Sequence, residues 1–195
     1  MAKERLKSPR ARLFVALDLP DPVKTGIEAW GREELADAAL RPVRRESLHV
    51  TLVFLGYRAE KEIPRLAEIV AASAAPPPRI ELGGPVAKPT PNRARLFALP
   101  ADSPDTVELQ AGLERKLVAC RLYEPEKRPF WPHVTVARVR SQGRGSKRPA
   151  SVSKPPGGLP QELLQPFSGV RVTLYRSELQ SQGARYTPLA QVKLR

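Results

Sequence analysis

The 195-residue chain is long enough for one sizeable domain or two small lobes sharing a core, and its 41% apolar content is that of a folded protein. Its 33 Lys and Arg against 20 Asp and Glu leave a formal charge of +13, which favours an anionic partner such as nucleic acid or, less specifically, a membrane surface. A single cysteine, Cys120, excludes an intramolecular disulfide, and no segment is long enough to cross a bilayer or, at the basic start MAKERLKSPRARLF, to act as a secretion signal. The expected location is the cytoplasm.

Residues 1–11 read as a loose basic leader. The run RLFVALDL over 12–19 has strand character and stops at Pro20; Asp21-Pro22 then supplies an N-cap and a proline at the first helical position, predicting a helix to about residue 40. A strand follows over 47–55, closed by Gly56. Residues 60–74 carry Ile63, Leu66, Ile69 and Val70 at helical spacing until Pro76-Pro77-Pro78 ends them. Strands are expected over 79–83 and 93–99, and Ser103-Pro104-Asp105 opens a helix over 105–121. Cys120 falls among that helix's apolar positions and reads as a small core residue. A strand over 133–140 precedes a breaker-rich basic segment, 141–160, expected to be a mobile loop, and two more strands, 170–179 and 185–194, close the chain.

The chain has only two histidines, and both stand in the same tripeptide, His49-Val50-Thr51 and His133-Val134-Thr135, 84 residues apart. On a strand, successive side chains alternate in face, so His49 shares a face with Thr51, and His133 with Thr135. An unperturbed imidazole titrates near pH 6.5 and can give or take a proton at neutral pH. Two facing one cavity can divide an in-line displacement at phosphorus, one as base for the nucleophile and one as acid for the leaving oxygen. The threonine hydroxyls can donate to the non-bridging oxygens. Two histidines without a carboxylate or cysteine cluster fall short of a metal site, and the chain carries neither a nucleophile elbow nor a phosphate-binding glycine loop. No cofactor is implied. Strands alternating with helices in both halves, with a motif in each, point to a duplicated, two-lobed α+β arrangement.

These residues resemble those of the 2H phosphoesterases, and specifically the RNA 2′,3′-cyclic phosphodiesterases also called 2′-5′ RNA ligases. The likeness is carried by RLFVALDLP, SLHVTLVFLG, FWPHVTVARVR and VTLYRSELQSQGARYTPLAQVKL, and runs from about residue 12 to 194. It implies one bilobal domain over 12–195: two pseudo-symmetric lobes of antiparallel sheet, helices outside, a central cleft. It also implies metal-independent opening of an RNA terminal 2′,3′-cyclic phosphate to a 2′-phosphate, by a monomer acting on RNA ends, with tRNA halves among the candidates.

By the same resemblance His133 is the proton acceptor, His49 the proton donor, Thr51, Thr135 and Arg138 bind phosphate, and Phe54 stacks on a base. Strand parity alone points Arg138 and Phe54 away from their histidines, and a bulge, twist or strand end is needed to bring them round. Tyr57, Phe130, Trp131 and Tyr186 are further candidate platforms, and Arg144, Lys147, Arg148 and Lys154 could hold RNA phosphates. The competing reading is an RNA-binding module that keeps the scaffold without useful catalysis.

Overall fold

The computed structural model describes residues 9–143, 145–180 and 183–195, so most of the expected leader and Arg144 lie outside the described residues. The first strand, β1 (Arg10–Asp18), begins two residues inside that leader. Helix α1 (Asp21–Glu34) has proline in its first turn as expected, but ends well short of residue 40. The reason is Asp37. Its carboxylate accepts the Ala39 amide at 2.8 Å and those of Ser153 and Lys154 at 2.8 and 2.9 Å, a local alternative to helical bonding.

A short strand that the sequence did not disclose, β2 (Leu40–Pro42), follows, and then β3 (His49–Ala59). Gly56 does not close β3. It sits inside it at φ +69°, beside a shift in register against β1. Helix α2 (Ile63–Ala71), β4 (Arg79–Leu82), β5 (Val86–Lys88) and β6 (Leu96–Asp102) lead to α3 (Pro104–Ala119). Ser103 caps α3 by accepting the Thr106 amide at 3.0 Å. The motif strand β7 (His133–Val139) precedes the long connection, and β8 (Phe167–Ser168), β9 (Arg171–Gln180) and β10 (Gly183–Lys193) complete the chain. The described residues of the 141–160 segment form no helix or named strand beyond an isolated antiparallel bridge of Ser141 with Pro149, yet the segment is tied to α1: Glu34 accepts the Gly157 amide, and Trp30 Nε1 donates to the Gly158 carbonyl.

All strands join one sheet in the order β10-β9-β1-β3-β7-β6-β4-β8, with β2 on β7 and β5 on β6, and the pairings are antiparallel. The C-terminal hairpin β9–β10 thus completes the N-terminal half, and β2 crosses to the C-terminal half. Period-two alternation sorts β1: Leu13, Val15 and Leu17 enter a hydrophobic cluster with Ile27 and Trp30 of α1, Leu66, Ile69 and Val70 of α2, and Leu113 and Leu117 of α3. Each such buried side chain contributes about 1.5 to 3 kcal/mol. Phe14, Ala16 and Asp18 face the opposite side, where the two halves meet. Cys120, expected in the core, is only half-buried: it caps the end of α3 and packs against the core from outside. No helix among the described residues is long and apolar enough to cross a membrane.

Candidate active site

The two motif strands meet at their middle residues, Val50 pairing with Val134. Carried one residue either way, the antiparallel register sets His49 opposite Thr135 and Thr51 opposite His133. Both valines are fully buried, so the imidazoles and hydroxyls on the other face line one cleft, of about 130 Å³.

Each strand then bulges at the same point. Against β1, β3 pairs Thr51 with Ala16 and Val53 with Val15, skipping Leu52. Against β6, β7 pairs Thr135 with Ala98 and Ala137 with Phe97, skipping Val136. The extra residue resets the alternation, so Leu52-Val53 and Val136-Ala137 are consecutive buried pairs. The side chain five places after each histidine therefore returns to the cleft face. Phe54, 40% exposed, and Arg138 both line the cleft, against the regular-strand expectation and in accord with the resemblance. All six candidate residues, His49, Thr51, Phe54, His133, Thr135 and Arg138, are brought together.

The imidazoles are held in matching fashion. His49 Nδ1 lies 2.8 Å from the Ser47 carbonyl, and His133 Nδ1 lies 2.8 Å from the Trp131 carbonyl, each two residues upstream. A carbonyl can only accept, so each Nδ1 carries the proton and each neutral ring keeps its lone pair on Nε2. The Thr51 hydroxyl donates to His49 Nε2 at 3.1 Å. Rings clamp both planes: Phe14 stacks on His49 at 5.0 Å with Tyr186 edge-on at 5.5 Å, and Trp131 stacks on His133 at 4.3 Å.

Burial dominates the proton affinities. It pushes His49 down to about 4, aided by the charges of Lys24 and His133 and opposed by the Ser47 carbonyl and Asp18. His133 is lowered first by burial, then by Lys88 and Arg138. Both imidazoles are thus held neutral at neutral pH, in a cationic surround. Among the described residues no three His, Cys, Asp or Glu side chains gather in a way that could hold a metal ion.

Profile comparison matches residues 19–151 to the 2′-5′ RNA ligase superfamily. The chain belongs to that superfamily. Among its curated relatives, an RNA 2′,3′-cyclic phosphodiesterase of Thermus thermophilus is 32% identical over 94% of this chain and 90% of the relative. The Escherichia coli protein of the same name is 31% identical over 91% and 93%. Among solved structures, a Thermus thermophilus crystal structure aligns at TM-score 0.75 with 29% identity, over 94% of this chain and 97% of that one. E. coli LigT complexed with 3′-AMP aligns at 0.73 with 28% identity, over 95% and 99%.

In this member of the 2′-5′ RNA ligase superfamily the site extends beyond the motif residues. Arg12 lines the cleft with its guanidinium 4.7 Å over the Phe54 ring and donates to Ser177 at 3.1 Å. Behind His49, and paired with it across β1–β3, the buried Asp18 accepts from Arg171 Nε at 2.8 Å and from the Thr173 and Tyr175 hydroxyls at 2.9 Å each. Tyr175 in turn stacks on Phe14 at 5.3 Å. Alternation in VTLYRS places Thr173, Tyr175 and Ser177 on one face and carries that signal, but only the β1–β9 pairing brings Thr173 and Tyr175 to Asp18 and Ser177 to Arg12. Of the candidate platforms, Tyr186 and Trp131 flank the two imidazoles, Phe130 lines a hollow next to the cleft, and Tyr57 does not line it.

Proposed function

We propose that this cleft hydrolyses the terminal 2′,3′-cyclic phosphate of RNA to a 2′-phosphomonoester by paired histidine acid and base catalysis, without a metal. The observation that carries the reading is the pair of imidazoles in one cleft, each with its Nδ1 proton committed to a carbonyl and its Nε2 lone pair left to exchange a proton. Relatives named RNA 2′,3′-cyclic phosphodiesterase, aligned along more than nine-tenths of the chain, support the cyclic phosphodiesterase activity. The formal charge of +13 and a cleft bordered by Arg12 and Arg138 suit an RNA end.

The tautomers give each ring an Nε2 able to exchange a proton, and the family resemblance assigns which gives and which takes. His133 Nε2 takes a proton from water as its oxygen attacks phosphorus, while protonated His49 delivers the Nε2 proton to the departing O3′. Entry of the phosphate anion loads His49, because a neighbouring negative charge favours imidazolium over the neutral ring that burial alone selects. Once Nε2 carries a proton, the Thr51 hydroxyl can no longer donate to it and turns to a phosphate oxygen. Thr135 and Arg138 hold the remaining oxygens as charge builds, and Phe54 stacks on the terminal base. With an RNA 5′-hydroxyl in place of water the same forward displacement forms a 2′-5′ linkage, and its reverse cleaves one.

The test is product analysis. An oligonucleotide ending in a 2′,3′-cyclic phosphate, incubated with the protein in excess EDTA, is expected to be opened with the phosphate left on O2′. Loss of turnover in EDTA, or a 3′-phosphate product, refutes the reading.

A further inference from the structure

Beside the catalytic cleft lies a small hollow, of about 50 Å³, which shares Ser47, Arg138 and Tyr186 with it. Arg41, Arg44 and the first two residues of β10 add to its walls, and among the described residues no acidic side chain lines it. The shared residues fix its place. The Ser47 carbonyl accepts from His49 Nδ1, and Tyr186 stands edge-on to the His49 ring. Arg138 belongs at the same end although it follows His133, because β3 and β7 run antiparallel through Val50 and Val134. Passing from His133 to Arg138 therefore leads back beyond His49 towards Ser47.

Arg41 and Arg138 stand directly opposite each other across β2–β7. Residues so paired share a face, with Cβ atoms about 4.5 to 5.5 Å apart, and like charges there repel. Among the described residues no carboxylate pairs with either guanidinium, whereas nearby Arg45 is paired with Asp21 at 3.1 Å. Two opposed, uncompensated arginines have charge for two anions, and the cyclic phosphate on Arg138 accounts for one.

The connectivity of the ribose says what the other is. The base hangs from C1′, next to C2′, and the chain continues through C4′ and C5′, next to C3′. With O3′ facing His49, the base leaves towards the far end of the cleft, where Phe54 stands further along β3, and the 5′ side leaves past His49 towards the hollow. The hollow is far below the about 300 Å³ at which pockets begin to enclose small organic ligands, so it suits a phosphate group and not a base. We propose that it binds the phosphodiester joining the terminal nucleotide to its 5′ neighbour, and that Arg41, which does not line the catalytic cleft, selects an RNA chain over a free cyclic nucleotide. The placement rests on the acid and base assignment above. The planar guanidinium of Arg41 gives two parallel N–H donors to the phosphodiester oxygens, and the two anions relieve the repulsion between the paired arginines.

The experiment gives the whole chain, in EDTA, three substrates: a nucleoside 2′,3′-cyclic phosphate, a dinucleotide ending in the same group, and that dinucleotide with a neutral methylphosphonate as its internal linkage. The upstream sugar is 2′-deoxy in both dinucleotides, so that only the cyclic phosphate can open. The charged dinucleotide is expected to exceed both of the others in kcat/KM at least about tenfold. In Arg41→Ala, and separately in Arg41→Gln, the preference for the charged over the neutral linkage should shrink to within about twofold. A ratio measured on one protein is independent of how much of it is folded, and the parent's own preference decides the matter without any variant. The proposal is overturned if the parent opens the three substrates alike, if the neutral linkage keeps the advantage of the charged one, or if either variant retains the parent's preference. A parent protein that opens none of the three refutes the proposed function instead.

Discussion

The neutral state of His49 is built into the fold, and stability at acid pH should reveal it. Burial lowers this imidazole from its ordinary 6.5 to about 4. Above pH 6.5 the ring is neutral in both folded and unfolded chains; as pH falls from 6.5 towards 4, the unfolded chain binds a proton that the native one refuses. Stability is therefore complete above the unfolded value and is lost down to the folded one. At about 1.36 kcal/mol per pH unit, the gap of roughly 2.5 units amounts to about 3 kcal/mol, a large part of a domain's stability. His133 is displaced in the same direction and adds to the loss. Urea unfolding of the parent and of His49→Asn at about pH 7.5 and pH 4 isolates the effect, because the carboxylates titrate alike in both proteins. The parent should lose about 3 kcal/mol more than the variant between the two conditions. Equal losses would refute a neutral, desolvated His49.

Inorganic phosphate entering the cleft should raise the affinity of His49 for a proton, so its binding near pH 5.5 is expected to take up close to one proton, read by titration calorimetry in buffers of different ionisation enthalpy. Uptake near zero would remove the proposed loading step. Asp18→Asn removes the negative charge paired across from His49 and disturbs bonds from Arg171, Thr173 and Tyr175. It should cost about 1 to 3 kcal/mol of stability and move the proton donor's limb of the pH–rate profile to lower pH. A stability loss with an unmoved profile would make Asp18 purely structural.

The motif strands, the three helices and the two imidazoles were legible in the sequence because each is a local pattern: period-two or period-3.6 apolar spacing, proline punctuation, and a repeated tripeptide. Less legible were β2 and β5, three residues each, which exist through pairing with β7 and β6 and carry little pattern of their own. The bulges had a visible trace, since HVTLVF and HVTVAR both break alternation with two adjacent apolar residues, yet only the register against β1 and β6 shows which residue is skipped. The support behind His49 was hidden for a topological reason. Asp18 and Tyr175 are 157 residues apart and meet only because the C-terminal hairpin returns to β1.

The measurement that bears most directly on two imidazoles sharing one phosphorus is the single-turnover rate of His49→Ala, His133→Ala and the double variant on a cyclic-phosphate oligonucleotide. Concerted action predicts that each single change costs about 10² to 10⁴ in rate and that the double variant is hardly slower than the worse of the two. Losses that multiply in the double variant, or substantial turnover left in either single one, would contradict it.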